Sequence, residues 1–233
     1  MQPIRLASGL MLQDARLALL AAAAGTLDVL GYLRLGPALM SAMTGNGALL
    51  GLAIGQHQFA AALHSGAAFG GFVVGVAGGA LLLDDEDRGW SARVTTIVTI
   101  EAVLLATFAL LWLASTHPLS DTSAYVLILL ASGGMGLQSV AVRQLRVPGV
   151  TTTFFTGTLT SIVISAVRAA EPPTGPRKLP SSTLPQLVAL AAYVGAAACA
   201  GVAESHGVKA IALLPVAAVV VVLAAHVATG AVH

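Results

Sequence analysis

The stretch RVTTIVTIEAVLLATFALLWLAS, residues 93–115, decides the fold class of this chain. After its first residue, Arg93, it carries one charged residue, Glu101. A helix of about 20 apolar residues, at a rise of about 1.5 Å per residue, crosses the hydrocarbon core of a bilayer. Trp90 and Trp112 stand near its two ends and predict an interfacial aromatic belt on both sides. The stretch therefore predicts a transmembrane helix.

The composition of the whole chain agrees with this prediction. Only 9% of its 233 residues are charged, and 57% are hydrophobic. A soluble domain carries about 25% charged residues, so we expect an integral membrane protein. The net charge of +1 predicts no nucleic-acid partner. The chain has one cysteine, Cys199, which excludes a Cys-based metal cluster. It has no catalytic or phosphate-binding motif, so we expect a protein that is not an enzyme and that binds no cofactor or metal.

Continuous apolar runs predict an all-α membrane protein with six full transmembrane helices. These runs are residues 16–34, 59–83, 93–115, 123–143, 185–204 and 208–229. Two more segments, residues 38–56 and 149–168, are long enough to cross, but each contains a small polar triplet. The triplets are Thr44-Gly45-Asn46 and Thr156-Gly157-Thr158.

Each triplet predicts a break in its helix. Glycine permits a tight turn, and the side-chain oxygens of Thr and Asn cap helix N-termini. We therefore expect short helices that start at the triplets, over residues 46–56 and 158–168. Free N–H groups at such starts bind anions. The alternative is close packing of unbroken helices through the glycines.

The distribution of cationic residues favours two segments that enter and leave on one side. In that case Arg34 and Lys209 lie outside, and the other nine of the 11 cationic residues lie inside. Cytoplasmic loops carry such an excess of Lys and Arg. We therefore favour six full transmembrane helices plus two broken or re-entrant TG-motif helices, with both termini cytoplasmic. The alternative, eight spans in a 4+4 parallel repeat, divides the cations five inside and six outside.

The chain also contains a two-fold internal repeat. Gly-Thr-Leu-Asp ends at Asp28 and Met-Gly-Leu-Gln ends at Gln138, each ahead of a triplet, while Phe69-x-Gly71 and Tyr193-x-Gly195 follow the triplets. With three full spans in each copy the copies are inverted, which is a common transporter plan. The predicted organisation is a cytoplasmic N-terminal tail at residues 1–14, a first membrane repeat at 15–115, a linker at 116–121 and a second membrane repeat at 122–230.

Several polar residues within the apolar segments are candidate site residues. A carboxylate exposed to lipid costs several kcal/mol, so Asp28 must face protein or water, and desolvation makes it a candidate proton carrier. A hydrogen-bonded Asp28 that fixes helix packing is the alternative. Glu101 follows the same logic, and His64 is either a member of a proton relay or a structural histidine. The candidate substrate-binding residues are Asp28, Thr44, Gly45, Asn46, Gln138, Thr156, Gly157 and Thr158.

Gly71, Gly75 and Gly79 recur at every fourth position on one helix face and predict a close helix contact. The spacing leaves open whether this contact lies within one chain or in a homodimer.

Asp28, the MTGN run at 43–46, the GLQ run at 136–138 and the TTxFTGTL run within 151–159 together resemble the YoaK-like membrane proteins, domain of unknown function 1275. The resemblance covers nearly the whole chain and implies a bacterial multi-span inner-membrane protein that transports a solute. One departure is Gln138-Ser139-Val140, where family members tend to carry Gln-Asn-Ala.

We therefore expect a small-molecule secondary transporter or facilitator with a central polar site between the repeats. Its expected partners are the lipid bilayer, a small polar or anionic substrate and, through Asp28 or Glu101, protons. The alternative is a passive channel formed by two facing re-entrant segments.

Overall fold

The computed structural model describes residues 2–84, 89–116, 119–144, 155–170 and 183–230. Over these ranges the chain folds into eight α-helices and one 3-10 turn, Lys209–Ala212. The helices are α1 (Gln2–Arg34), α2 (Met43–Gly55), α3 (Phe59–Leu82), α4 (Ala92–Ala114), α5 (Asp121–Gln144), α6 (Phe155–Ala170), α7 (Thr183–Ser205) and α8 (Leu213–Gly230).

Six of these elements have the length and hydropathy of a membrane span, as the sequence predicts. The segment Asp14–Arg34 of α1 has 21 residues, which is about 32 Å of helix. The two remaining helices are also apolar but shorter. At 13 and 16 residues, α2 and α6 measure about 20 and 24 Å, less than the bilayer core of about 30 Å.

The helices pack with α1 and α5 in the middle. The most extensive contacts join α1 to α7 and α3 to α5, while α4 packs against α5, α8 packs against α1, and α4 and α8 pack against each other. The two short helices lie at the periphery, α2 against α3 and α6 against α7. Accordingly, the spans in α1 and α5 have the largest buried fractions of the six.

Contacts at one end of the bundle, here called the Arg16 end, fix the direction of four helices. The guanidinium of Arg16 in α1 lies 5.1 Å from the ring centroid of Trp90, just ahead of α4. Trp90 stacks on His226 of α8, with 4.8 Å between the ring centroids. The N–H of Gly89 donates to the carbonyl of Gln144, the last residue of α5, at 3.2 Å. The start of the apolar part of α1, Asp14–Arg34, and the start of α4 therefore meet the ends of α5 and α8.

The opposite end, here called the Arg34 end, brings together the ends of α1, α7 and α4. Arg34 Nε donates to Glu204 Oε2 near the end of α7 at 2.6 Å. Lys209 Nζ donates to the carbonyl of Ser115, which follows α4, at 2.7 Å. Since both α1 and α7 end here, these two helices run parallel.

The starts of α3 and α5 also lie at the Arg34 end. The ring of His64 packs against that of Tyr125, with 4.9 Å between the centroids. His64 also lies directly against Gly36, which follows α1 and has φ +89°, a conformation that glycine adopts readily. Because α3 and α5 start where α1 and α7 end, they run in the opposite direction.

The predicted glycine contact is confirmed and lies within the chain. Gly71, Gly75 and Gly79 are buried on the face of α3 that packs against α5. At Gly75 the approach is so close that an added Cβ would collide with the backbone carbonyl of Gly133. Small residues at this spacing let two helix backbones come together.

The aromatic-belt prediction is wrong for Trp112. Its side chain is 0% exposed and stacks against Phe108, with 5.6 Å between the ring centroids. Position in the sequence locates Trp112 near the end of a span, but it does not specify which side of α4 faces the protein. A Trp ring buries a large apolar area when that side is the inner one.

The predicted starts of the short helices are also wrong. Helix α2 begins at Met43 and α6 at Phe155, so both triplets lie inside the first turns of their helices. The N-cap of α2 is Ala42, which makes no side-chain capping bond. The interruption after α1 comes earlier, where Gly36 takes a positive φ and Pro37 disfavours helix at the residue before it.

Candidate functional site

Asp28 is the centre of a hydrogen-bond cluster between α1 and α7. Its side chain is buried, and three donors converge on it. Oδ1 accepts from the N–H of Ser41 at 2.6 Å, and Oδ2 accepts from Ser41 Oγ at 2.7 Å and from the Tyr193 hydroxyl at 2.5 Å. Both carboxyl oxygens of Asp28 therefore accept hydrogen bonds from the protein. Asp28 therefore ties the segment ahead of α2 to α1 and α7.

The segment ahead of α2 turns back along α1. Asp28 lies six residues before Arg34, about 9 Å below the end of α1. The chain leaves α1 at its end, yet Ser41 bonds to Asp28, and Met40 packs over Gly31. The start of α2 therefore lies below the Arg34 end, the end from which α3 begins.

Asn46 holds this non-helical segment. Its side chain is 1% exposed and pairs with both backbone groups of Leu39. Oδ1 accepts from the N–H of Leu39 at 2.7 Å, and Nδ2 donates to its carbonyl at 2.5 Å. In the same triplet Thr44 is exposed and Gly45 half-buried. Asn46 therefore fastens the chain to the first turn of α2. The sequence predicted that this side chain would cap the helix, and it does not.

The second triplet lies on the first turn of α6. Thr156 and Gly157 are exposed and Thr158 is buried, so both triplets begin with an exposed Thr and end with a buried polar residue. Among the described residues, however, α2 and α6 make no contact with each other. The structure does not bring the two triplets together in one chain, and the channel alternative requires them to face each other.

Gln138 connects the two central helices at another level. It is fully buried in α5, and its Nε2 donates to the carbonyl of Leu20 in α1 at 3.2 Å. Leu20 and Asp28 are eight residues apart, which is about 12 Å along α1. Asp28 and Gln138 thus bind different turns of the same helix.

The members of the predicted proton relay lie apart. Glu101 is 0% exposed in α4, beside Gly134 of α5, and neither of its oxygens meets a hydrogen-bond donor among the described residues. His64 packs against Tyr125 at the Arg34 end. Within the described part of the chain, its Nε2 makes no hydrogen bond. In this conformation neither residue bonds to the other or to Asp28 within the described chain.

Neither partner of Asp28, Ser41 or Tyr193, was predicted from the sequence. The repeat contained a signal for the second of them. Tyr193 corresponds to Phe69 in the other copy, and Asp28 corresponds to Gln138. In the repeat, Asp28 is therefore paired with a Tyr, which has a hydroxyl group, and Gln138 with a Phe, which has none.

Six long apolar helices and two shorter ones define a multi-pass α-helical membrane protein. Residues 16–226 match the family described as "Protein of unknown function (DUF1275)", and the chain belongs to that family. The chain is 38% identical over 148 residues to the UPF0700 transmembrane protein YoaK of Bacillus subtilis (strain 168). That alignment spans 63% of this chain and 64% of the relative, which is less than two thirds of the relative's length. No solved structure matches the chain.

Proposed function

We propose that this protein is a secondary transporter or facilitator for a small polar or anionic molecule, built from two inverted repeats in a bacterial inner membrane. The directions of the helices carry the proposal. Helices α1 and α7 run one way, and α3 and α5 run the other. If α1–α4 correspond to α5–α8, corresponding helices are antiparallel. Two inverted halves that pack into each other form the frame of many secondary transporters.

The pairs of packed helices support the same correspondence. Exchanging the repeats turns the α1–α7 contact into α5–α3, α1–α8 into α5–α4, and α2–α3 into α6–α7, and all of these contacts are present. A parallel 4+4 repeat requires α1 and α5 to run in the same direction. The packing therefore favours six spans with two re-entrant segments over eight spans.

The cations favour a cytoplasmic location for the Arg16 end. Arg93 near the start of α4 and Arg143 near the end of α5 lie at that end together with Arg16. At the opposite end, the side chains of Arg34 and Lys209 each bond to another part of the protein. Retention of positive loops on the inner side then gives cytoplasmic termini.

The Asp28 cluster is the proposed substrate gate. Non-helical backbone at membrane depth is stable only inside the protein or beside water. The N–H and hydroxyl of Ser41 are the kind of donors that an anionic substrate needs, and Asp28 occupies them in this conformation. A substrate that displaces Asp28 from Ser41 would free the re-entrant segment. Transport then depends on the exchange between the internal carboxylate and the substrate.

Flux in proteoliposomes tests the proposal. The full chain is reconstituted and offered small carboxylates, inorganic phosphate and amino acids, with counterflow and electrical current as readouts. We expect saturable counterflow with one of these classes. Asp28→Asn should lower it about tenfold or more, the effect of losing about 1.4 kcal/mol. Asp121→Asn, which removes an exposed carboxylate at the start of α5, is the matched control. Step conductance without counterflow supports a channel, and the absence of both overturns the proposal.

Cysteine accessibility tests the orientation. In a Cys199→Ser background, cysteines at His57, after α2, and at Gln144, the end of α5, report on opposite ends of the bundle. We expect a membrane-impermeant maleimide to label position 57 in intact cells and position 144 only after lysis. The reverse result contradicts the six-span topology.

A further inference from the structure

Glu101 lies on α4, and its carboxyl group is enclosed in the apolar interior of the helix bundle. Its side chain is 0% exposed, and its neighbours Ile97, Val98 and Leu105 are equally enclosed. A Cβ added at Gly134 of α5 would lie 3.9 Å from Glu101 Cγ, so the side chain is directed at the α4–α5 contact. Neither carboxyl oxygen meets a hydrogen-bond donor in the part of the chain that the structure describes.

The charged and titratable groups on the elements packed against α4 are all distant from Glu101. They are Asp121, Tyr125 and Arg143 on α5, His64 on α3, His226 on α8 and Lys209 in the 3-10 turn. On α5, Gly134 marks the level of Glu101, and Arg143 and Tyr125 lie nine residues from it, about 13 Å along the helix. On α4 itself, Arg93 lies eight residues away, about 12 Å.

These surroundings suit neither a bare carboxylate nor a metal ion. An ionised carboxylate that is buried without a partner carries a large desolvation penalty. A hard cation needs about six oxygen ligands, and the neighbours of Glu101 are apolar. Among the described residues no three His, Cys, Asp or Glu side chains are grouped to hold a metal. A proton is the one ligand that a single carboxylate binds completely.

We propose that Glu101 is a proton-binding site, which holds a proton in this conformation and exchanges it with water in a second one. Exchange requires movement, because the side chain has no contact with solvent. On release, the carboxyl O–H bond breaks, the proton passes to water that the second conformation admits, and a hydrated carboxylate remains. This inference rests on the proposed transport function only for its consequence, the coupling of a proton to solute movement.

A groove beside Glu101 provides space for the movement. A cavity of about 500 Å³ lies between α3, α4 and α5, and its lining includes Gly71 and Gly75 of α3 and Gly133 of α5. Ile100 and Leu104, which flank Glu101 on α4, form another wall. Because Gly71 and Gly75 already pack closely against α5, the movement would come from Ile100 and Leu104 of α4, whose side chains line the groove next to Glu101.

Infrared spectroscopy tests the proton without any substrate. The purified full chain, at neutral pH in dodecyl maltoside, a detergent without carbonyl groups, should show the carbonyl stretch of a protonated carboxyl group. Glu101→Gln should remove this band, and Asp28→Asn should leave it. Glu101→Leu, which matches the apolar surroundings, serves if Glu101→Gln does not fold. A wild-type protein without the band, or a band that survives in both Glu101 variants, overturns the proposal.

A second measurement tests the coupling. In proteoliposomes that contain a pH-sensitive dye, solute flux through the wild type should move protons, and Glu101→Gln should retain solute counterflow but lose the proton signal. Unchanged proton movement in Glu101→Gln overturns the coupling role. If the wild type moves no solute, the proposed function fails, whereas the infrared result for Glu101 remains valid. The two failures are therefore distinguishable.

Discussion

Replacement of Tyr193 by Phe tests whether the Asp28 cluster stabilises the bundle. The substitution keeps the ring and removes the hydroxyl that donates to Asp28 Oδ2 at 2.5 Å. Asp28 is 3% exposed, so water cannot readily replace the lost donor, although both bonds from Ser41 remain. Removing one partner of a buried polar group costs about 1–3 kcal/mol. We expect Tyr193→Phe to lower the free energy of unfolding by about 2 kcal/mol.

The expected change in melting temperature follows from the size of the chain. For 150–250 residues, about 1 kcal/mol corresponds to a shift of about 2–4 °C, so Tyr193→Phe should lower the Tm by about 4–8 °C. The assay is thermal unfolding of the full chain in detergent, followed by circular dichroism. The control is Tyr32→Phe, because Tyr32 is 53% exposed on α1 and forms no hydrogen bond among the described residues. Equal melting of the two variants would refute the role of Tyr193.

Two further substitutions test the helix contact and the re-entrant segment. Gly75→Ala places a Cβ against the backbone carbonyl of Gly133 and should lower the free energy of unfolding by about 1–3 kcal/mol. The control is Gly78→Ala, whose Cβ meets no atom within 4 Å and which should leave the Tm unchanged or raise it. Equal Tm values for the two variants contradict the close approach. Asn46→Ala removes both bonds to Leu39, and we expect faster amide exchange in residues 35–42 by mass spectrometry, so unchanged exchange contradicts the fastening role.

The membrane-spanning architecture could be predicted from the sequence because it depends on local properties. A run of about 20 residues without charges specifies a span wherever it packs, and the glycine spacing in α3 specifies a close contact. Even so, the sequence placed Trp112 at an interface when it lies in the core, and it placed the start of α2 at the triplet rather than at Met43. The first error concerns which side of a helix meets the protein, and the second concerns where a helix begins.

The individual site contacts could not be predicted, because they join residues far apart in the chain. Asp28 and Tyr193 are separated by 165 positions and Gln138 and Leu20 by 118, and nothing near either residue names its partner. The sequence marked both Asp28 and Glu101 as candidate proton carriers, because both are carboxylates in apolar spans. The structure distinguishes them, since three donors surround Asp28 and no donor among the described residues reaches Glu101.

The sequence by itself therefore determined that this chain crosses a bilayer and contains carboxylates that lipid cannot accommodate, because hydrophobic transfer acts on each segment separately. Only the tertiary structure decided how the helices are directed and which carboxylate is bound by hydrogen bonds. Those properties depend on which helix faces come together, and helices with similar apolar surfaces differ mainly in how their small residues let them approach.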